Sequence, residues 1–222
     1  MPRSLSIVAL VMQTGAAFPD SQSPFAGGPP VPKPDTRSCE VVLYQNEALS
    51  AYGQVANATY AGPPADCPAP WSKVLLRFRG SVAGVQFDRA GGLWLDGVEL
   101  LRTTTPEPDV PGIQWVVERE VTAYAPVFRS ASNATLQIPN TVNDQYTGVI
   151  YISASLVFWD APSNAPSQQI GVADAVLPLS SPPSYSNPWS SMSIAGESIR
   201  NTTFRFPRSD VINATLDLFA SG

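Results

Sequence analysis

The stretch GLWLDGVELLRT (residues 92–103) places two apolar runs on either side of Asp96-Gly97. Both central positions of a two-residue turn tolerate positive φ when they are Asp and Gly, so this stretch predicts a tight antiparallel hairpin. An isolated hairpin is marginal in water, and further strands must cover it. The chain supplies them. CEVVLYQ (39–45) alternates around Val41 and Leu43, and WSKVLLRFRG (71–80) sets Val74, Leu76 and Phe78 on one face with Lys73, Arg77 and Arg79 largely on the other. IQWVVEREVTAY (113–124) aligns Ile113, Trp115 and Val117, while ATLQIPN (134–140) is short and alternating. TGVIYISASLVFWDA (147–161) puts Ile150, Ile152, Ala154, Leu156 and Phe158 on one side. No segment carries a helical period, and 23 prolines in 222 residues suit a loop-rich β protein. The fold class expected is all-β, an antiparallel sandwich of jelly-roll type, over residues 39–161.

The flanks read differently. MPRSLSIVALVMQTGAAF has a basic start, a short apolar run and small residues placed for cleavage after Ala17, so residues 1–17 are expected to be a signal peptide. The run is too short to span a membrane. Residues 18–38 are rich in Pro, Gly and Ser and are expected to be a linker without ladders; residues 162–199 resemble an inter-domain connection. VINATLDLFASG (211–222) has the pattern of one more strand, so residues 200–222 are expected to be the first piece of a second, truncated domain.

The compartment expected is the secretory pathway or the exterior. N-x-T sequons stand at Asn57, Asn133, Asn201 and Asn213. The two cysteines, Cys39 and Cys67, lie in Pro-rich surroundings; a single disulfide is the natural reading in a secreted chain, and two free thiols are the alternative.

Composition also narrows the chemistry. With no histidine, Ser-His-Asp and Cys-His schemes are excluded, and so is the commonest zinc ligand. A net charge of −5 without a basic stripe argues against nucleic acid or an anionic membrane as partner. Hydrolysis by such a chain would rest on carboxylates, Arg, Lys, hydroxyls or backbone groups. Charge is scarce, yet VQFDRAGGLWLDGVELLRTTTPEP (85–108) contains Asp88, Asp96, Glu99 and Glu107 with Arg89 and Arg102. The hairpin accounts for Asp96. Glu99 and Arg102 are an odd number of residues apart, so ideal alternation puts them on opposite faces.

The run PWSKVLLRFRGSVAGVQFDRAGGLWLDGVELLRTTTPEP (70–108), with VPKPDTRSCEVVL, GIQWVVEREVTAY and QYTGVIYISASLVFW, resembles the N-terminal domain of the acidic peptide N-glycanases of plants and fungi (glycoamidase A type). The resemblance implies two jelly rolls side by side with a cleft between them. It also implies hydrolysis of the amide joining the innermost N-acetylglucosamine of an N-glycan to asparagine, giving an aspartyl peptide and a glycosylamine. No metal and no cofactor are implied, and the partners are N-linked glycopeptides and glycoproteins.

Phe87-Asp88-Arg89 occupies the place where bacterial relatives carry Trp-Asp-Arg around their principal catalytic carboxylate. Asp88 is therefore the catalytic candidate, with Arg89 as its orienter or oxyanion donor. Glu99, Arg102 and Glu107 are substrate-binding candidates, against a plain solvated rim as the bland reading. In NTVNDQYTG (140–148) the family carries an acidic residue where this chain has Asn143, and Asp144, one step along, joins the binding candidates. Trp71, Trp94 and Trp115 are candidate stacking rings for a sugar, although core packing is the commoner fate of strand tryptophans; Trp94 is retained as a binding candidate. Because the chain stops before the family's second carboxylate, it is expected to be inactive alone. The competing reading is a noncatalytic glycan- or glycoprotein-binding module, or an inactive fragment.

Overall fold

The computed structural model describes residues 24–107, 112–163, 172–178, 205 and 213–217. The expected signal peptide (1–17), most of the 162–199 connection, Asn201 and most of 200–222 lie outside the described residues. Nine strands follow in order: β1 (Phe25–Ala26), β2 (Ser38–Leu49), β3 (Ala56–Tyr60), β4 (Trp71–Ala83), β5 (Ala90–Leu95), β6 (Val98–Thr104), β7 (Ile113–Glu120), β8 (Ser132–Gln137) and β9 (Val149–Asp160). They form a five-stranded sheet, β1-β7-β4-β9-β2, and a four-stranded sheet, β3-β8-β5-β6.

From β2 onward, every connection except the β5–β6 hairpin carries the chain from one sheet to the other. Successive strands thus alternate between layers, and their inward residues meet in one core. The predicted faces are the observed ones. Val74, Leu76 and Phe78 of β4 and Ile150, Ile152, Ala154, Leu156 and Phe158 of β9 all lie in that core, with Leu93, Leu95 and Leu136 of the smaller sheet and Ile138 just beyond β8. The fold is an all-β sandwich, as its alternation requires. Asp96 (φ 50°) and Gly97 (φ 78°) both turn left-handed, as a two-residue Asp-Gly hairpin demands.

Four expectations are corrected. Within the Pro-rich 18–38 segment, Phe25 and Ala26 pair in parallel with Trp115 and Val116, and Lys33 forms an ion pair with Glu118 at 3.2 Å. Proline punctuates this segment but leaves the Phe25–Ala26 dipeptide free to pair at the sheet edge. The strand expected through Tyr124 ends at Glu120; Thr122–Phe128 is a 3-10 turn that buries Ala125 and Phe128. Residues 213–217, expected to be strand, have none; Asp217 instead meets the Arg119 guanidinium and the Tyr124 hydroxyl. The fourth concerns Glu99 and Arg102.

The register of β5 against β6 slips between Leu93 and Trp94: Leu93 faces Leu101, yet Trp94 faces Glu99. Leu100 is the extra residue of a β-bulge, and both Leu100 and Leu101 are buried as a result. The bulge resets the alternation, so Glu99 and Arg102 share the outer face. There Arg102 Nε and Nη2 donate to Glu99 Oε1 and Oε2 at 2.8 and 2.7 Å.

Cys39 and Cys67 are joined in a disulfide across 28 residues. It ties the first residues of β2 to the loop before β4, where Trp71 Nε1 donates to the Cys67 carbonyl at 3.1 Å.

Candidate active site

Asp88 lies on the β4–β5 loop, whose shape follows from its ends. β4 leaves the sheet at Gly84, with φ +113°, a conformation that strains any residue bearing a side chain. Thr147 Oγ1 and the Gly148 backbone stand within 3.0 Å of where a Gly84 Cβ would be, so only glycine admits this approach of the two loops. The contact is then sealed by hydrogen bonds. Val85 N–H donates to Thr147 Oγ1 at 3.2 Å, and Gly148 N–H donates to the Val85 carbonyl at 3.1 Å.

Gln86 is the anchor. It is buried, and its Nε2 donates to the carbonyls of Thr141 (2.9 Å) and Gly148 (3.0 Å). Asn140, also buried, donates to the carbonyls of Leu49 (2.9 Å) and Gly148 (3.1 Å). Two side-chain amides thus bind the carbonyls of Thr141, Gly148 and Leu49, and buried carbonyls left unpaired would cost stability. On the other flank Arg89 N–H donates to Thr105 Oγ1 (2.8 Å), and Thr105 N–H donates to the Arg89 carbonyl (2.9 Å). The loop is therefore held at both ends.

With Gln86 turned inward, Phe87 and Asp88 face solvent; the Phe87 ring is 45% exposed. Phe87 meets Tyr146 of the β8–β9 loop with ring centroids 4.9 Å apart. Arg89 does not turn toward Asp88: its Nη2 donates to Gln86 Oε1 at 3.0 Å, its guanidinium lies 5.8 Å from the Phe87 ring centroid, and its buried Nε has no acceptor. The expected Asp88–Arg89 pairing is thus absent among the described residues. Arg89 is instead clamped to the loop's own anchor through Nη2, while its Nε–H is enclosed without a partner.

Glu107, exposed two positions beyond Thr105, and Asp144, exposed in the β8–β9 loop, arise beside this loop, so Asp88, Arg89, Glu107 and Asp144 come from three segments bound to one another. Asn143 has a local task. Its Oδ1 accepts from Gln145 N–H and Tyr146 N–H at 2.9 and 2.8 Å, the turn of a short polar side chain onto its own backbone. That turn presents Asp144 outward and Tyr146 toward Phe87.

Trp94, Glu99 and Arg102 form a separate group on the outer face of the smaller sheet. Trp94 pairs with Glu99 and Gly92 with Arg102, whereas Ala90, adjoining Arg89, pairs with Thr104; Arg102 thus stands about 7 Å and Glu99 about 13 Å along the strand from Ala90. Arg102 lies 5.2 Å from the Trp94 ring centroid, and Trp94 is only 1% exposed. A ring so covered offers no open face for a sugar. Trp71 and Trp115 belong to the core. Of the residues that matter here, Gln86, Asn140, Thr105 and Tyr146 were not predicted; each acts through a partner remote in sequence, and a polar residue in an apolar run was the sole sign of Gln86.

No group of three or more His, Cys, Asp and Glu side chains able to hold a metal occurs among the described residues. The chemistry the arrangement offers is that of an exposed carboxylate on a rigid loop beside a fixed guanidinium.

Comparison with known proteins adds the following. The family described as peptide N-acetyl-beta-D-glucosaminyl asparaginase amidase A matches residues 29–222. The peptide-N4-(N-acetyl-beta-glucosaminyl)asparagine amidase A of Prunus dulcis is 33% identical over 162 residues, which are 68% of this chain and 28% of that protein. Among solved structures, the tobacco streak virus coat protein aligns over 62% of this chain and 95% of its own at 14% identity, with a TM-score of 0.25.

Proposed function

The chain belongs to the peptide N-glycanase A family, and from that membership we propose that it contributes the Asp88 wall of an amidase acting on N-linked glycopeptides. The reaction is hydrolysis of the bond between the innermost N-acetylglucosamine and the asparagine side chain, leaving an aspartyl peptide and a glycosylamine. The observation that carries the reading is the held Phe87-Asp88-Arg89 loop, which exposes a carboxylate while its neighbours are fixed.

Amide hydrolysis needs a base or water-orienting group and a donor for the developing oxyanion. Asp88 is assigned the first task. Arg89 is assigned the second, through the guanidinium edge not used by Gln86, and its clamp reduces the reorganisation needed when negative charge develops. Glu107 and Asp144 are assigned to substrate hydroxyls or the peptide backbone. Glu99 and Arg102 already satisfy each other and are assigned a structural role.

The matched span is 28% of the almond relative's length, so activity is proposed for the longest natural polypeptide that contains this chain. The test is incubation of that polypeptide with an N-glycopeptide, followed by mass spectrometry of peptide and glycan. Conversion of the glycosylated Asn to Asp with release of the intact glycan is expected. Glycopeptide binding without conversion would instead favour a noncatalytic glycan-binding module.

A further inference from the structure

The sequons Asn57-Ala58-Thr59 and Asn133-Ala134-Thr135 are far apart in sequence, yet they are register partners on adjacent antiparallel strands. Asn57 of β3 lies opposite Thr135 of β8, and Thr59 lies opposite Asn133. Each acceptor asparagine thus faces the hydroxyl residue of the other sequon. The alternation of both strands points Asn57 and Asn133 outward, and both are exposed, while Ala56, Tyr60, Ala134 and Leu136 turn to the core.

The side-chain hydrogen bond within this quartet suits a modified asparagine. Thr135 Oγ1 donates to Asn57 Oδ1 at 3.3 Å. That oxygen remains an acceptor after glycosylation, because the sugar is carried by Nδ2. The pairing therefore holds the amide by its oxygen and does not engage the nitrogen.

We propose that Asn57 and Asn133 are both N-glycosylated and that the two glycans stand side by side to shield the β3 edge of the smaller sheet. In the transfer step, Nδ2 of each asparagine attacks the anomeric carbon of a lipid-linked oligosaccharide. The carbon–oxygen bond to the lipid diphosphate breaks, the amide nitrogen loses one proton, and nothing is oxidised or reduced. The step acts on the unfolded chain, before β3 and β8 pair, so neither site obstructs the other. After folding, the two attachment points are diagonal neighbours about 7–8 Å apart. β3 is an edge strand with no strand on its outer side among the described residues; the Tyr44 hydroxyl of β2 donates to its Ala56 carbonyl at 3.1 Å, while Asn57 and Thr59 stay exposed. Two bulky glycans on its exposed positions would obstruct pairing with another chain.

The test uses the chain secreted from a eukaryotic host. Its peptides are treated with a peptide N-glycosidase in heavy-oxygen water, which returns every occupied asparagine as labelled aspartate. Label at both Asn57 and Asn133 is expected, and an unlabelled residue at either position would overturn the paired modification. The shielding is tested on folded protein trimmed to one N-acetylglucosamine per site, with circular dichroism confirming an intact fold. Sedimentation should show concentration-dependent association of the trimmed form only. A trimmed form that stays as monomeric as the untrimmed one would overturn the shielding.

Discussion

On the outer face of the larger sheet, Glu118 stands between Lys33 (3.2 Å) and Arg77 (3.4 Å) and is largely buried. Burial pushes its carboxyl upward, but the hydrogen bonds and charges of Lys33 and Arg77 prevail and hold it below its ordinary value of 4.5. A carboxylate with a depressed folded pKa stabilises fully above the unfolded value and loses that contribution as pH falls through the folded one. The stability advantage of the natural chain over Glu118→Gln should therefore be constant near neutrality and shrink as pH drops below 4.5. Urea titrations at stepped pH read this directly; an advantage that grows on acidification would contradict it. Arg77 also reaches Glu40 at 3.6 Å, so the charged residues of this face, which alternation placed opposite the core, form a chain of partners.

At the scale of elements, strands with strict alternation were legible, because period two leaves only one face to bury. β4 and β9 are the clear cases, and the Asp96-Gly97 hairpin follows from backbone chemistry alone. The bulge at Leu100 was not legible. ELLR can continue a regular strand or insert a residue, and the choice is made by packing both leucines into the core. It is this choice that brings Glu99 and Arg102 together. The short parallel pairing of β1 was hidden among prolines for a similar reason, since its partner, β7, lies far along the chain. Gly80 shows what such packing demands. It lies opposite Trp115, and a Cβ there would enter the indole ring itself. Gly80→Ala should destabilise the fold by about 1–3 kcal/mol through overpacking. Thermal unfolding measures it, and an unchanged midpoint would show that Trp115 has somewhere else to go.

For the whole molecule, the sandwich depends on long-range closure, and the disulfide is the one covalent part of it. Cys39–Cys67 joins β2, an edge strand of the larger sheet, to the loop that feeds its central β4. Replacing both cysteines by serine should lower stability by about 2–4 kcal/mol, chiefly by freeing the unfolded chain. Denaturation of the double variant beside the natural chain reads the difference, and equal midpoints would contradict it. The same closure explains why the candidate site was only partly readable. Asp88 was marked by its FDR motif, but the loop's rigidity comes from Gln86, Asn140 and Thr105, whose partners come from other segments of the chain. Sequence spacing also placed Glu99 and Arg102 near Asp88, whereas the hairpin carries them along the sheet to a group of their own.

The central claim is that Asp88 performs chemistry on a loop held by Gln86 and Thr105. Its most direct test is the kcat of Asp88→Asn in the longest natural polypeptide containing this chain, on an N-glycopeptide, with circular dichroism confirming the fold. Asparagine preserves the shape and removes the charge. A loss of at least about 100-fold in kcat, with KM little changed, is predicted. A kcat equal to that of the unaltered protein would contradict the account.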